Sequence, residues 1–201
     1  MIRKILYWVL GIIGALAAII IVIGLLNPTY EDQVSVSIDA PVEKAFAIFQ
    51  DSQYMRDWIP GYKSSEIIDG EELRVGSKYK LTFEEGSREF TMVETITDYI
   101  PDEKFGFDLD DDYGKFHVDV TFEEKDGKTK VTETMTGASK GIIGKAMMAL
   151  MKGSIKNQKQ EMYNDLASLV EGTEWSPPQP EPVSMDTVKA DSIAADTTDK
   201  N

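Results

Sequence analysis

Hydrophobic and polar positions divide the chain into three stretches. The first, Ile5 to Leu26, is a run of 22 residues without a charge. As a helix rising about 1.5 Å per residue it spans roughly 33 Å, enough for the hydrocarbon core of a bilayer. Arg3 and Lys4 precede it, and Glu31 and Asp32 follow. Positive flanks stay cytoplasmic, so residues 1–4 are expected inside as a short stub and everything after Asn27 outside. A cleaved signal peptide is the rival reading. It needs a shorter apolar region closed by small residues. Here Ala15, Ala17 and Ala18 lie mid-run and Ile19-Ile20-Ile21-Val22-Ile23 continues past them, which favours an uncleaved single-pass anchor over residues 5–26. Tyr7 and Trp8 fall near the inner interface, where aromatic rings settle at headgroup level. Gly11 and Gly14 leave a small flat patch that is not a full GxxxG.

The second stretch, residues 27–172, has the pattern of a folded domain. Val34, Val36 and Ile38 alternate with Gln33, Ser35 and Ser37, a half-buried strand. Asp39-Ala40-Pro41 then reads as a helix start, with Asp39 as candidate cap and Pro41 in the first turn. Val42, Ala45, Phe46 and Phe49 follow at helical spacing, and Tyr54, Met55 and Trp58 suggest a second short helix ending before Pro60-Gly61. After Tyr62 the period becomes two: a short strand near Ser64 to Ile68, then the sets Tyr79, Leu81, Phe83; Phe90, Met92, Ile96; Phe105, Phe107, Leu109; Phe116, Val118, Val120, Phe122; and Val131, Met135. Turn chemistry separates them at Asp69-Gly70, Glu85-Gly86, Asp112-Tyr113-Gly114 and Asp126-Gly127, as in an antiparallel meander. From about Lys145 to Val170 the apolar residues Met148, Met151, Ile155, Met162, Leu166 and Leu169 share one helical face, with Gly153-Ser154 a candidate kink or split and Gly172 a candidate C-cap. The order predicts an α+β domain: a curved antiparallel sheet of about seven strands around a long C-terminal helix, preceded by one transmembrane helix. The third stretch, residues 173–201, opens on Ser176-Pro177-Pro178-Gln179-Pro180-Glu181-Pro182 and continues in Asp, Thr, Ser and Ala. Such a composition cannot bury enough apolar area to offset its ordering entropy, so a disordered tail is expected.

Composition removes chemistries rather than naming one. With Asp+Glu 35 against Lys+Arg 21 and a net charge of −14, the chain lacks the basic surface that a nucleic-acid partner requires. The absence of cysteine excludes disulfides, thiolate metal sites and a cysteine nucleophile. A single histidine excludes a multi-histidine metal cage.

Three segments carry a resemblance. Val36-Ser37-Ile38-Asp39-Ala40-Pro41-Val42-Glu43-Lys44-Ala45-Phe46 is similar to the strand-to-helix opening of the START/polyketide-cyclase-like (SRPBCC) superfamily. Tyr54-Met55-Arg56-Asp57-Trp58-Ile59-Pro60-Gly61 is similar to its W-x-P segment after the second helix, and Asp165-Leu166-Ala167-Ser168-Leu169 resembles the D-L-x-x-L close of its terminal helix. The resemblance covers about Glu31 to Glu171. It implies a helix-grip fold with an internal cavity for an apolar or amphipathic small molecule. One such fold serves lipid carriers, cyclases, hydrolase-like proteins and co-chaperones, so it does not choose among them. The matching motifs are structural, and no catalytic residue, metal ligand or cofactor is carried over.

With that fold, the expected ligand-binding residues are Trp58, Tyr79, Leu81, Phe83, Phe90, Met92, Glu94, Phe107, Phe116, Val118, Glu133, Met135, Met147 and Met151. The methionines would give an adaptable lining, or plain gap-filling. Glu94 and Glu133 interrupt apolar faces, and a buried carboxylate without a partner is costly. Three accounts stand: a polar ligand head or water in the cavity, an acid/base group with a raised pKa, or a bulge that turns both outward. Two strands would separate theirs, roughly 14 Å between backbones, too far for a shared proton unless long side chains converge. His117 falls out of phase with Phe116 and Val118 and is expected on the surface. Asp108, Asp110, Asp111 and Asp112 lack EF-hand spacing and read as a solvated turn. Lys145, Lys152, Lys156 and Lys159 form a stripe, read as stems lying over the core edge or as a patch for anionic headgroups. Gly137, Gly141 and Gly144 do not make a phosphate loop, and a flexible cavity mouth is the expected role, with Ile142 and Ile143 exposed beside it.

The functions that follow are a membrane-anchored binding module for a lipid-like molecule, a cyclase- or hydrolase-like enzyme using a cavity carboxylate, or an interaction protein with a filled core.

Overall fold

The computed structural model describes residues 2–111 and 114–177. Helix α1 (Ile2–Leu26) is long and apolar enough to cross a membrane. The Asn27 side-chain amide donates to the Ile23 carbonyl at 2.8 Å and ends it. Strand β1 (Tyr30–Ile38), helices α2 (Val42–Gln50) and α3 (Met55–Trp58), strands β2 (Tyr62–Asp69), β3 (Lys78–Glu85), β4 (Arg88–Ile100), β5 (Lys104–Asp110), β6 (Gly114–Lys125) and β7 (Lys128–Ser139), and helix α4 (Gly141–Gly172) follow. The seven strands form one antiparallel sheet in the order β1-β7-β6-β5-β4-β3-β2. Short turns place consecutive strands side by side. Asp126 and Gly127 both take positive φ in the two-residue β6–β7 turn, where the twist of a hairpin demands it. The one non-local pairing brings β1 onto β7, with Val34 opposite Glu133.

The α+β architecture expected from the pattern is the one observed, with three local differences. Asp39 does not cap α2. Pro41 is the N-cap, the Val42 N–H donates to Glu124 Oε2 at 2.9 Å, and the Asp39 carboxylate pairs with Lys128 at 3.2 Å. A carboxylate reaching across from β6 thus replaces the local cap. Gly153-Ser154 does not split the terminal helix, which is continuous over 32 residues. Thr173, not Gly172, closes it, with both its N–H and its hydroxyl donating to the Leu169 carbonyl. The expected disordered tail lies outside the described residues beyond Pro177.

The core fills only one end of the grip. Phe46 and Phe49 of α2 pack edge-on against Phe122 at 5.1 and 5.2 Å between ring centres, and Trp58 lies 6.0 Å from Tyr163 of α4. Ile38, Val120, Val131, Leu166 and Val170 close this cluster with no exposed surface. Offset and edge-on aromatic contacts of this kind add to the burial itself. Helix α4 packs on β1, α1 and α3, and it leaves the inner faces of β3, β4 and β5 largely uncovered. Where α1 meets α4, Gly24 lies so close to Ile142 that a Cβ there would overlap its carbonyl.

Candidate functional site

The uncovered faces enclose an apolar chamber of about 220 Å³. Strand alternation supplies its sheet wall: Leu81 and Phe83 from β3, Met92 and Glu94 from β4, Phe105, Phe107 and Leu109 from β5, Val118 from β6, and Glu133 and Met135 from β7. Register aligns them across strands, with Leu81 opposite Met92, Tyr79 opposite Glu94, Glu94 opposite Leu109, and Val118 opposite Met135. Trp58, Ile59 and Tyr62 close one side, and Lys159, Met162 and Tyr163 of α4 form the roof. A second, more polar cleft of about 520 Å³ adjoins it, lined by Gln50, Ser52, Gln53, Ser65, Glu72 and Tyr79 among others. The two share Gln50, Met55, Leu81, Glu94 and Phe105, so Glu94 stands at the neck between chamber and cleft.

The polar groups around the chamber fall into two sets. Lys159 sits between Asp32 and Glu133, 2.6 Å from Asp32 Oδ1 and paired directly with Glu133 Oε1. The Tyr163 hydroxyl donates to Glu133 Oε2 at 2.8 Å. Burial, with the Glu133 charge beside it, holds the Tyr163 phenol well above its ordinary pKa, so it stays a donor. The Glu133 carboxylate is thereby satisfied within the protein. Glu94 is different. Among the described residues nothing pairs with it, and burial raises its pKa from 4.5 to about 7. A carboxyl so placed populates both its charged and its neutral form near neutral pH, and the neutral form can both donate and accept a hydrogen bond. Two further buried donors among the lining residues, Trp58 Nε1–H and Tyr62 O–H, have no hydrogen-bond partner.

Of the residues expected at the site, Trp58, Leu81, Phe83, Met92, Glu94, Phe107, Val118, Glu133 and Met135 line the chamber, and Tyr79 lines the cleft. The Tyr79 hydroxyl accepts the Leu73 N–H at 2.7 Å. Four lie elsewhere. Phe90 is on the rim, stacked on Phe83 at 5.4 Å, and Phe116 packs edge-on against Tyr30 at 6.4 Å. Met147 and Met151 are exposed on the first half of α4, which does not cover the chamber. The spacing puts Met148, Met151, Ile155, Met162, Leu166 and Leu169 on one helical face, whereas only the second half of α4 roofs the cavity.

Glu94 and Glu133 stay in phase with their strands; the bulge in β4 falls later, between Ile96 and Asp98. Sequence reasoning missed Asp32, Lys159 and Tyr163. Asp32 carried the same signal as Glu133, an acid in phase with apolar neighbours Tyr30 and Val34. Lys159 does not belong with the other lysines: its side chain is only 13 % exposed. Lys152 instead lies 5.8 Å over the Tyr30 ring.

His117 stands on the outer face between Asp108 at 2.7 Å and Asp119 at 3.3 Å, and the hydrogen bond to Asp108 raises its pKa. Asp110 of the acidic turn pairs with Lys115 and Lys140. Asp112 lies outside the described residues. Among the described residues no three His, Cys, Asp or Glu side chains converge as a metal site.

A curved antiparallel sheet gripping a terminal helix, with a hollow left between them, defines a helix-grip small-molecule-binding fold. The chain belongs to the family described as polyketide cyclase / dehydrase and lipid transport, whose model matches residues 32–171. Solved structures agree on the fold. Protein CV1439 from Chromobacterium violaceum superposes with TM-score 0.59 at 18% identity, over 71% of this chain and 98% of its own. The Zhui aromatase/cyclase from Streptomyces sp. R1128 gives 0.59 at 13%, over 71% and 94%. Ara h 8.0201 gives 0.57 at 16%, over 72% and 99%. No curated protein matches the chain.

Proposed function

We propose that the protein is a membrane-anchored binding module that takes an amphipathic, oxygen-bearing apolar molecule into its chamber. The observation that carries this is the pairing of an apolar chamber with a polar cleft through a neck held by unpaired Glu94. The chamber is below the roughly 300–1,000 Å³ of typical ligand sites. Its occupant therefore places an apolar part inside and extends a polar part past Glu94 into the cleft. In its neutral form Glu94 can donate to, and accept from, the hydroxyl or carbonyl oxygens of such a molecule. The family description, which includes lipid transport, agrees with this reading.

Anchoring rests on α1. It carries no charge from Ile5 to Leu26, it runs on through Asn27-Pro28-Thr29 into β1, and its last turn packs on α4 through Gly24. A signal peptide would leave that contact behind on cleavage. Arg3 and Lys4 orient the N-terminus to the cytoplasm and the domain to the outside, as in a bacterial envelope.

A photoactivatable fatty alcohol tests the site. With the full chain in lipid nanodiscs, cross-linked peptides should include those carrying Leu81, Met92 or Met135, besides α1, which reports the bilayer. Leu81→Trp, which puts an indole into the chamber, should abolish the domain cross-links and keep those on α1. Labelling confined to α1 in the parent chain would sink the proposal.

One observation favours a second reading, an acid/base enzyme of the cyclase kind. A carboxyl in a cavity with a pKa of about 7 is poised for proton transfer. Glu94→Gln separates the two: a binding module retains its ligand, and an enzyme retains its ligand but loses turnover.

A further inference from the structure

The outer face of α4 changes character halfway along. On a wheel of 100° per residue, Ile143, Met147, Leu150 and Met151 fall within an arc of about 100°. They are 69%, 51%, 64% and 45% exposed. Continue the same arc through the second half of the helix and it carries Gln158, Glu161, Asp165 and Ser168, all exposed, with Leu169 at its edge half-buried against the core. One continuous helix thus shows water a polar face in its second half and a row of large apolar side chains in its first. Scattered exposed apolar residues need no explanation, but a contiguous helical stripe does.

The neighbour of that stripe says what covers it. Ile142 lies directly against Gly24 in the last turn of α1. Gly24 is two residues from the end of the apolar run, about 3 Å along the helix axis. If α1 crosses a bilayer, the start of α4 sits at the bilayer's outer edge, and its apolar stripe continues the lipid-facing surface of α1.

Charge agrees. Residues 140–160 contain no acid, in a chain of net charge −14, and Lys145, Lys152 and Lys156 stand apart from Lys140 and Lys159, which pair with Asp110 and with Asp32 and Glu133. Lys145 and Lys152 lie on the side of α4 turned back toward Tyr30 and Ser139. With the stripe in the acyl boundary, that side is at the level of headgroup phosphates, where lysine stems can reach them.

We propose that the first half of α4, residues 141–154, is an interfacial helix lying in the outer leaflet of the membrane that α1 crosses, with Ile143, Met147, Leu150 and Met151 at the acyl boundary. The inference rests on the anchor reading of α1. It gives the domain a fixed attitude on the membrane. The same helix then carries Lys159, Met162 and Tyr163 into the roof of the chamber, so it leads from the lipid surface to the ligand.

The test uses the absence of native cysteine, which lets single nitroxide labels report one site each. Ile13→Cys, Met147→Cys, Leu150→Cys, Glu161→Cys and Asp165→Cys are labelled in the full chain. The protein is reconstituted in vesicles of phosphatidylcholine with a minority of phosphatidylglycerol. Collisions with dissolved oxygen and with a water-soluble nickel chelate are then measured. Labels at 147 and 150 should share the oxygen-rich, nickel-poor behaviour of 13, with an accessibility ratio several-fold above those at 161 and 165. If 147 and 150 behave like 161 while 13 stays lipidic, the interfacial helix is wrong and the anchor stands. If 13 is itself aqueous, the anchor reading fails and takes the inference with it. Spin–spin broadening at 150 that disappears on dilution with unlabelled protein would make a second copy the occupant and overturn the proposal.

Discussion

Glu94 and Glu133 interrupt their strands in the same way, and the structure treats them oppositely. Glu133 gains Lys159 and the Tyr163 hydroxyl, whereas Glu94 gains only burial. The sign of the resulting pH effect follows. Glu94 ionises near 4.5 in the unfolded chain and near 7 when folded. The folded state therefore holds this proton more tightly, and stability is lost as pH rises through that window. Glu94→Gln should match the parent chain at about pH 4 and exceed its stability by about 1–3 kcal/mol at about pH 8, the range allowing for water in the cavity. Thermal melts of the full chain in detergent at the two pH values check this; a variant equally stable at both would refute it. Lys159 makes the converse case. Lys159→Met strands Asp32 and Glu133 as buried carboxylates and should cost about 3–5 kcal/mol in the same melts. Lys152→Met, at an exposed position, should change the melt by less than about 0.5 kcal/mol. Alternation put both glutamates in phase with apolar neighbours, and left open whether a bulge turns them outward. It could not tell a satisfied acid from an unsatisfied one, because Lys159 arrives from an element more than twenty residues away in sequence. Helical spacing alone ranked that lysine with its exposed neighbours.

Most elements were legible because each rests on local chemistry. Period-two runs bounded by Asp-Gly and Glu-Gly turns gave the strands, and the β6–β7 hairpin turns where Asp126-Gly127 stands. The cap of α2 was not legible, because Glu124 comes from β6, 82 residues further along the chain. Helix α4 is the instructive element. Its apolar residues form one face in its second half and a different, outward face in its first, so a single-lid reading placed Met147 and Met151 wrongly. The sheet's weak point is where β7 passes between β1 and β6. Gly137 pairs with Tyr30 on one side and Phe116 on the other, and a Cβ there would overlap the Lys115 carbonyl. Backbone cannot yield as a flexible side chain can. Gly137→Ala should therefore lower stability by about 1–3 kcal/mol. Gly127→Ala meets no neighbour but must hold a positive φ, so it should cost less, about 1 kcal/mol. A melt in which Gly137→Ala is neutral would contradict the close approach.

At the scale of the molecule, one helix long and apolar enough to cross a membrane, one gripped cavity and a long terminal helix make up the module that we propose binds its ligand at a membrane. The anchor makes its own prediction: the full chain should stay with membranes through an alkaline carbonate wash, and a chain lacking residues 2–26 should be released. Fold class was legible in the order of elements, and the hollow was implied by the family resemblance. The division into chamber and cleft was not, because it depends on how much of the sheet α4 leaves uncovered. Native mass spectrometry of the full chain, released from nanodiscs of defined lipid, bears most directly on the central claim. The account predicts a single adduct of one amphipathic molecule per chain, absent in Leu81→Trp and retained in Met147→Ser. A bare mass that takes up no added fatty alcohol would contradict it.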